Sequence, residues 1–82
     1  MIKSVSVTGY FNDWNSEAEG FGLTLTKKNL YQLTIEKDKL GRPGEKEEFK
    51  FVVNGNIWIP VLRRALNKVL HENGNENLFI QL

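Results

Sequence analysis

Two tryptophans, nine asparagines and one histidine are the side chains of this 82-residue sequence that stand out as chemistry. Trp14 lies in a turn-forming run, Gly9-Tyr10-Phe11-Asn12-Asp13-Trp14-Asn15, and Trp58 follows Asn54-Gly55-Asn56-Ile57. An indole presents a flat apolar face. The C–H face of a glucopyranose ring is apolar and slightly positive, so it stacks on such a surface. Asn offers both donor and acceptor, which suits neighbouring hydroxyls, and Lys offers donors alone. Asparagines cluster near Trp14, at Asn54 and over Asn73–Asn77. Flat aromatics, amides and a lysine, Lys50, form an inventory suited to sugar. Each Asn taken singly is explained by turn formation, because Asn tolerates left-handed backbone. The set reads as a site only if both tryptophans share one surface.

Other chemistries have little to work with. There is no cysteine, hence no disulfide framework and no thiolate metal site. His71 alone cannot build a multi-histidine metal cluster, and no Ser/Asp pattern makes it a base; a polar turn at the surface is its expected place. Glu17, Glu19, Glu45, Glu47 and Glu48 sit in charged stretches or at strand ends, without the apolar shielding that raises a catalytic carboxyl's pKa. No phosphate-cradling glycine motif or calcium loop is present. The expectation is therefore no catalytic residue, no metal, no cofactor and no enzyme activity.

A net charge of +1 with interspersed signs argues against a nucleic-acid partner. No apolar run approaches the ~20 residues that span a bilayer. Met1-Ile2-Lys3-Ser4-Val5 lacks a signal-peptide stretch, so no membrane association and a cytoplasmic location are expected. The length suits one domain, residues 1–82, which buries only about 60% of its unfolded surface.

The elements that must position these residues read mostly with period two. Val5 and Val7 alternate with Ser4, Ser6 and Thr8, predicting a strand that ends at Gly9. Phe21, Leu23 and Leu25, then Tyr31, Leu33 and Ile35, predict two strands joined as a hairpin through Lys27-Lys28-Asn29. Glu36–Glu48, with Gly41, Pro43 and Gly44, reads as an exposed loop. Asn54-Gly55 then signals a second hairpin. A two-residue loop would scramble its apolar face. A three-residue loop, Asn54-Gly55-Asn56, pairs Val53 with Ile57 and Val52 with Trp58. That register puts Phe49, Phe51, Val53, Ile57 and Ile59 on one face and Lys50, Val52 and Trp58 on the other. Trp58 beside Lys50 is then available to a ligand, or serves as a rim residue shielding the core or a sheet edge.

Val61, Leu62, Ala65, Leu66, Val69 and Leu70 recur at helical spacing between Pro60 and Gly74. They predict one short amphipathic helix near residues 61–71, or else an irregular loop whose leucines plug the core. Asn73–Asn77 reads as a polar turn, and Leu78, Ile80 and Leu82 as a last strand. Six short strands separated by turns predict an all-β antiparallel sandwich.

Three blocks in order along nearly the whole chain resemble carbohydrate-binding module family 48. They are Val5-Ser6-Val7-Thr8-Gly9-Tyr10-Phe11-Asn12-Asp13-Trp14-Asn15, then Pro43-Gly44 with Phe49-Lys50-Phe51-Val52-Val53-Asn54-Gly55 leading to Trp58, and Gly74-Asn75-Glu76-Asn77-Leu78. That family includes the glycogen-binding domain of the AMP-activated protein kinase β subunit and N-terminal domains of isoamylases, pullulanases and branching enzymes. The resemblance implies an immunoglobulin-like (early-set) sandwich that binds α-1,4-glucan polysaccharides or malto-oligosaccharides without catalysis. The sugar-contacting residues it implies are Trp14, Lys50, Trp58 and Asn77. Asn73 and Asn75 match a Leu and a Thr that touch sugar in the kinase subunit. The family's Asp-Pro pair after the second Trp is replaced here by Ile59-Pro60-Val61. Many enzyme-attached members have lost sugar binding and act as structural lids. The alternative function is accordingly a structural or interaction module packing on an α-amylase-type catalytic domain or a kinase-type partner, with the leucines of 61–70 as its contact surface.

Overall fold

The computed structural model describes residues 1–26 and 29–82. Over these residues the chain is all-β, with antiparallel sheets and two single-turn 3-10 segments, Tyr10–Asn12 and Lys37–Lys39. The strands are β1 (Val5–Gly9), β2 (Thr24–Leu25), β3 (Tyr31–Gln32), β4 (Lys46–Val53), β5 (Ile57–Trp58), β6 (Lys68–Leu70) and β7 (Glu76–Gln81). One sheet runs β1-β4-β7-β6, with β5 added to the end of β4; the other is the β2-β3 hairpin. No helix among the described residues is long and apolar enough to cross a membrane.

The long strand β4 organises the molecule. It pairs with β1 along one edge, from Val5↔Val53 to Gly9↔Phe49, and with β7 and β5 in turn along the other. The β4–β5 register is Val52↔Trp58 and Val53↔Ile57, the three-residue loop that the alternation requires. Asn54 and Gly55 take left-handed backbone in that loop, with φ of 53° and 76°. Asn tolerates this conformation and Gly adopts it freely. The Asn54 side chain also holds the N-terminal segment: its Oδ1 accepts from the backbone N–H of Lys3 at 2.6 Å and of Ser4 at 3.2 Å, and its Nδ2 donates to Met1 O at 3.1 Å.

The first hairpin pairs Thr24↔Gln32 and Leu25↔Tyr31, so its ladder is shorter than the alternation of 21–25 and 31–36 predicts. Residues 21–23 instead lean on β1, where Val7 N–H donates to Phe21 O at 3.0 Å and Leu23 N–H donates to Val5 O at 2.8 Å. Most of the expected turn, Lys27 and Lys28, lies outside the described residues. The apolar faces of the two sheets line a common groove of about 320 Å³, to which Val7, Leu23, Tyr31, Leu33, Phe49 and Phe51 contribute. Phe49 and Phe51 pack edge to face at 5.6 Å, and Phe11 stacks on Phe21 at 5.3 Å.

Three expectations are corrected. The exposed loop predicted over 36–48 ends earlier, because Lys46, Glu47 and Glu48 pair with Gln81, Ile80 and Phe79 of β7. The face opposite Phe49 and Phe51 is not bare: Val52, fully buried, and Thr8, also fully buried, lie on it. The segment after β1 covers that side, for the Ser16 hydroxyl donates to Gly55 O at 2.7 Å and the Trp14 ring lies 6.4 Å from that of Trp58. Third, residues 61–71 form no helix. Lys68–Leu70 pairs with Leu78–Glu76 as an edge strand, and Asn67 extends the pairing, Phe79 N–H donating to Asn67 O at 2.9 Å. What remains is too short to offset the cost of helix nucleation. Its leucines do not plug the core either: Leu62 is 76% exposed and Leu66 99%. Leu66→Ser is therefore expected to change the unfolding free energy by less than about 0.5 kcal/mol in urea denaturation. A leucine packed on a sheet would cost ~2–5 kcal/mol on truncation.

Candidate functional site

The site begins with the turn after β1. Tyr10–Asn12 makes one 3-10 turn, and Asp13 and Trp14 follow with φ of 56° each. Two successive left-handed residues reverse the chain sharply, and for a bulky residue such as Trp this conformation costs about 1–3 kcal/mol. The surroundings enforce it. Trp14 N–H donates to Gly9 O at 2.8 Å, Asn12 Oδ1 accepts from Gly9 N–H at 3.1 Å, and Asn12 Nδ2 donates to Val7 O at 3.1 Å. The result brings the Trp14 indole over the sheet toward Trp58.

Trp58 comes from β5, fixed by its pairing with Val52, and keeps 45% of its surface exposed. The two indoles are tilted by 41° at a centroid distance of 6.4 Å. Tyr10 extends the aromatic surface, meeting Trp14 edge to face at 5.5 Å. Lys50 stands on the same face of β4, two residues before Val52. Among the described residues its ammonium has no hydrogen-bond or ion-pair partner.

The other wall is the β6–β7 turn. Gly74, at φ 88°, reverses the chain between His71 and Asn75, with Gly74 N–H donating to His71 O at 2.9 Å and His71 N–H to Asn75 O at 2.8 Å. Asn73 Oδ1 accepts from Asn75 N–H at 3.0 Å, so part of the Asn73 amide is committed to the turn. Asn77 lies on β7, one step past the Phe49↔Leu78 pair, on the face that carries Lys50. Its Nδ2 donates to Glu48 Oε1 at 3.0 Å. His71 Nε2 donates to the same oxygen at 2.6 Å.

These pieces line one open concavity of about 420 Å³, formed by Tyr10, Trp14, Lys50, Trp58, His71, Asn73, Asn75 and Asn77. All six residues expected from the sequence, Trp14, Lys50, Trp58, Asn73, Asn75 and Asn77, are thus brought together. Tyr10 and His71 join them. Tyr10 stands within the same turn-forming run as Trp14 and could have been read as a third aromatic. His71 could not have been found, because its place depends on which strands flank β7. Chemically, the concavity offers tilted aromatic faces with donors and acceptors around them.

Glu48 is tied into this wall by its hydrogen bonds from Asn77 and His71. Partial burial pushes its pKa up, but hydrogen bonds from Asn77 and His71 and the charges of His71 and Lys46 outweigh that effect and hold it below the ordinary value of 4.5. A carboxylate whose folded pKa is depressed stabilises the fold fully above its unfolded value and loses that contribution as pH falls through the folded one. The stability difference between wild type and Glu48→Gln in urea denaturation is therefore expected to be constant above about pH 4.5 as far as Glu48 alone is concerned, and to shrink on further acidification.

Comparison with protein-family models finds no match to this chain, and comparison with curated proteins finds none either.

Proposed function

We propose that this chain is a non-catalytic α-glucan-binding module, with Trp14 and Trp58 stacking on successive glucose rings and Lys50, Asn73, Asn75 and Asn77 bonding to their hydroxyls. The observation that carries the reading is the convergence of both indoles with the Lys50 ammonium and three amides in one open concavity. The 41° tilt between the indoles supports the choice of linkage. α-1,4-linked chains coil, so successive rings present their faces at an angle, whereas β-1,4-linked chains run straight and suit coplanar platforms. The strained backbone at Trp14 supports it further, since strain held in place by several hydrogen bonds is characteristic of functional positions. The blocks that resemble carbohydrate-binding module family 48, with its immunoglobulin-like sandwich, agree with this reading. Affinity is expected to be modest, because an open site must offset the desolvation and ordering of a flexible oligosaccharide. Titration of malto-oligosaccharides or β-cyclodextrin against intrinsic Trp fluorescence tests it: quenching or enhancement that saturates supports the reading, and a flat response with no retardation on glycogen gels overturns it.

A second reading, a module that packs on a catalytic domain or partner protein, is favoured by the exposure of Leu62, Leu66 and Leu70 on one stretch. It requires that an α-amylase-type domain protect residues 62–70 in hydrogen exchange while malto-oligosaccharides leave the Trp emission unchanged.

A further inference from the structure

The amide of an asparagine can face a ligand with either end, and its neighbours decide which. Asn77 is decided by Glu48. A carboxylate has only acceptors, so the Asn77 atom that meets Glu48 Oε1 at 3.0 Å must be Nδ2. This leaves Oδ1, which has no protein donor among the described residues, as the acceptor that Asn77 offers to the concavity. The carboxylate is itself held: His71 Nε2 donates to Oε1 at 2.6 Å from the end of β6, and Glu48 sits at a fixed register position of β4 opposite Phe79. Its side chain is only 21% exposed, so water competes weakly for it.

The orientation has a consequence for what the site accepts. Lys50, two residues along the same face of β4, supplies donors alone. With Oδ1 of Asn77 presented beside it, this part of the concavity offers donors and an acceptor together, which matches a pair of neutral hydroxyls. With the amide reversed, it would offer an ammonium and an NH2 together, which suits a carboxylate or a phosphate instead.

We propose that Glu48 and His71 are positioning residues of this site, fixing the Asn77 amide so that its oxygen receives a sugar hydroxyl. The assignment rests on the α-glucan reading above. It is tested by titrating β-cyclodextrin against wild type, Glu48→Gln and Glu48→Leu, while recording the side-chain NH2 cross-peaks of Asn77 by nitrogen–proton correlation NMR. Gln keeps a carbonyl that accepts from Asn77 Nδ2, so Glu48→Gln is expected to bind within about twofold of wild type. Loss of one hydrogen bond is worth about 1 kcal/mol, so Glu48→Leu is expected to bind about fivefold more weakly. In wild type the two Asn77 NH2 protons should be well separated, one bonded and one free, and the separation should collapse in Glu48→Leu. Glu48→Ala serves as a second variant with the same expectations should Leu perturb folding. Equal affinity of wild type and Glu48→Leu, or equal loss in Glu48→Gln and Glu48→Leu, overturns the positioning role while leaving the glucan reading intact. Absence of binding to wild type overturns both.

Discussion

Trp58→Ala is expected to weaken malto-oligosaccharide binding by about thirtyfold, the equivalent of a hot-spot residue contributing ~2 kcal/mol. The size of the effect follows from where Trp58 sits. It adjoins Trp14 at one end of the aromatic surface, is fixed by pairing with the fully buried Val52, and retains 45% of its own surface for a ligand. Truncation removes the flat face on which a glucose ring rests and also leaves the Trp14 indole without its neighbour at 6.4 Å. Trp14→Ala is expected to act in the same direction. Ala keeps the Cβ that makes left-handed backbone costly, so the strain at position 14 remains and the loss of the indole is what the titration reads. The folded state of Trp58→Ala should persist, since a half-exposed residue on a two-residue strand contributes little to the core. Isothermal titration with maltoheptaose, beside far-UV circular dichroism, separates lost affinity from lost fold.

Gly9→Ala is expected to be strongly destabilising. Gly9 is buried and extended, so its backbone conformation alone would accept any residue. Space is what forbids a side chain. A Cβ at this position would lie 2.6 Å from the carbonyl oxygen of Glu48 and would run into the Phe11 ring. The ring could give way, but the Glu48 carbonyl belongs to the backbone of the central strand and cannot. Overpacking of this kind costs about 1–3 kcal/mol or more. The displaced carbonyl belongs to the residue whose side chain meets Asn77 and His71, and Gly9 O receives the Trp14 N–H, so sugar affinity should fall along with stability. Gly22→Ala is the control. Nothing lies within 4 Å of a Cβ there, and the substitution should be neutral or slightly stabilising. Urea denaturation of both variants checks the pair; equal midpoints would contradict the packing around β1 and β4.

Much of the site was legible in the sequence because strands alternate strictly. Once Asn54-Gly55-Asn56 is taken as the loop, Lys50 and Trp58 must share a face, whatever else the chain does. Trp14 and the asparagines of 73–77 could be joined to that face only through the resemblance, since the turn at Gly9–Asn15 and the β6–β7 turn approach it from different edges. The period failed at 61–70. A spacing that fits a helix there also fits a turn followed by a three-residue edge strand, and pairing with β7 decides between them. Burial of Val52 was equally hidden. Alternation assigns it to the outer face, and only the crossing of residues 10–16 over that face covers it. The Glu48–His71–Asn77 arrangement needs the full β4-β7-β6 order, which no local pattern encodes.

The most direct measurement is the intrinsic Trp fluorescence of the wild-type chain during titration with β-cyclodextrin, repeated with Trp58→Ala. Both tryptophans lie in the concavity, so a bound sugar must change their environment. A saturating change in the wild type that is lost in Trp58→Ala is the result expected of an α-glucan-binding surface. A flat titration of a folded wild-type chain would contradict it.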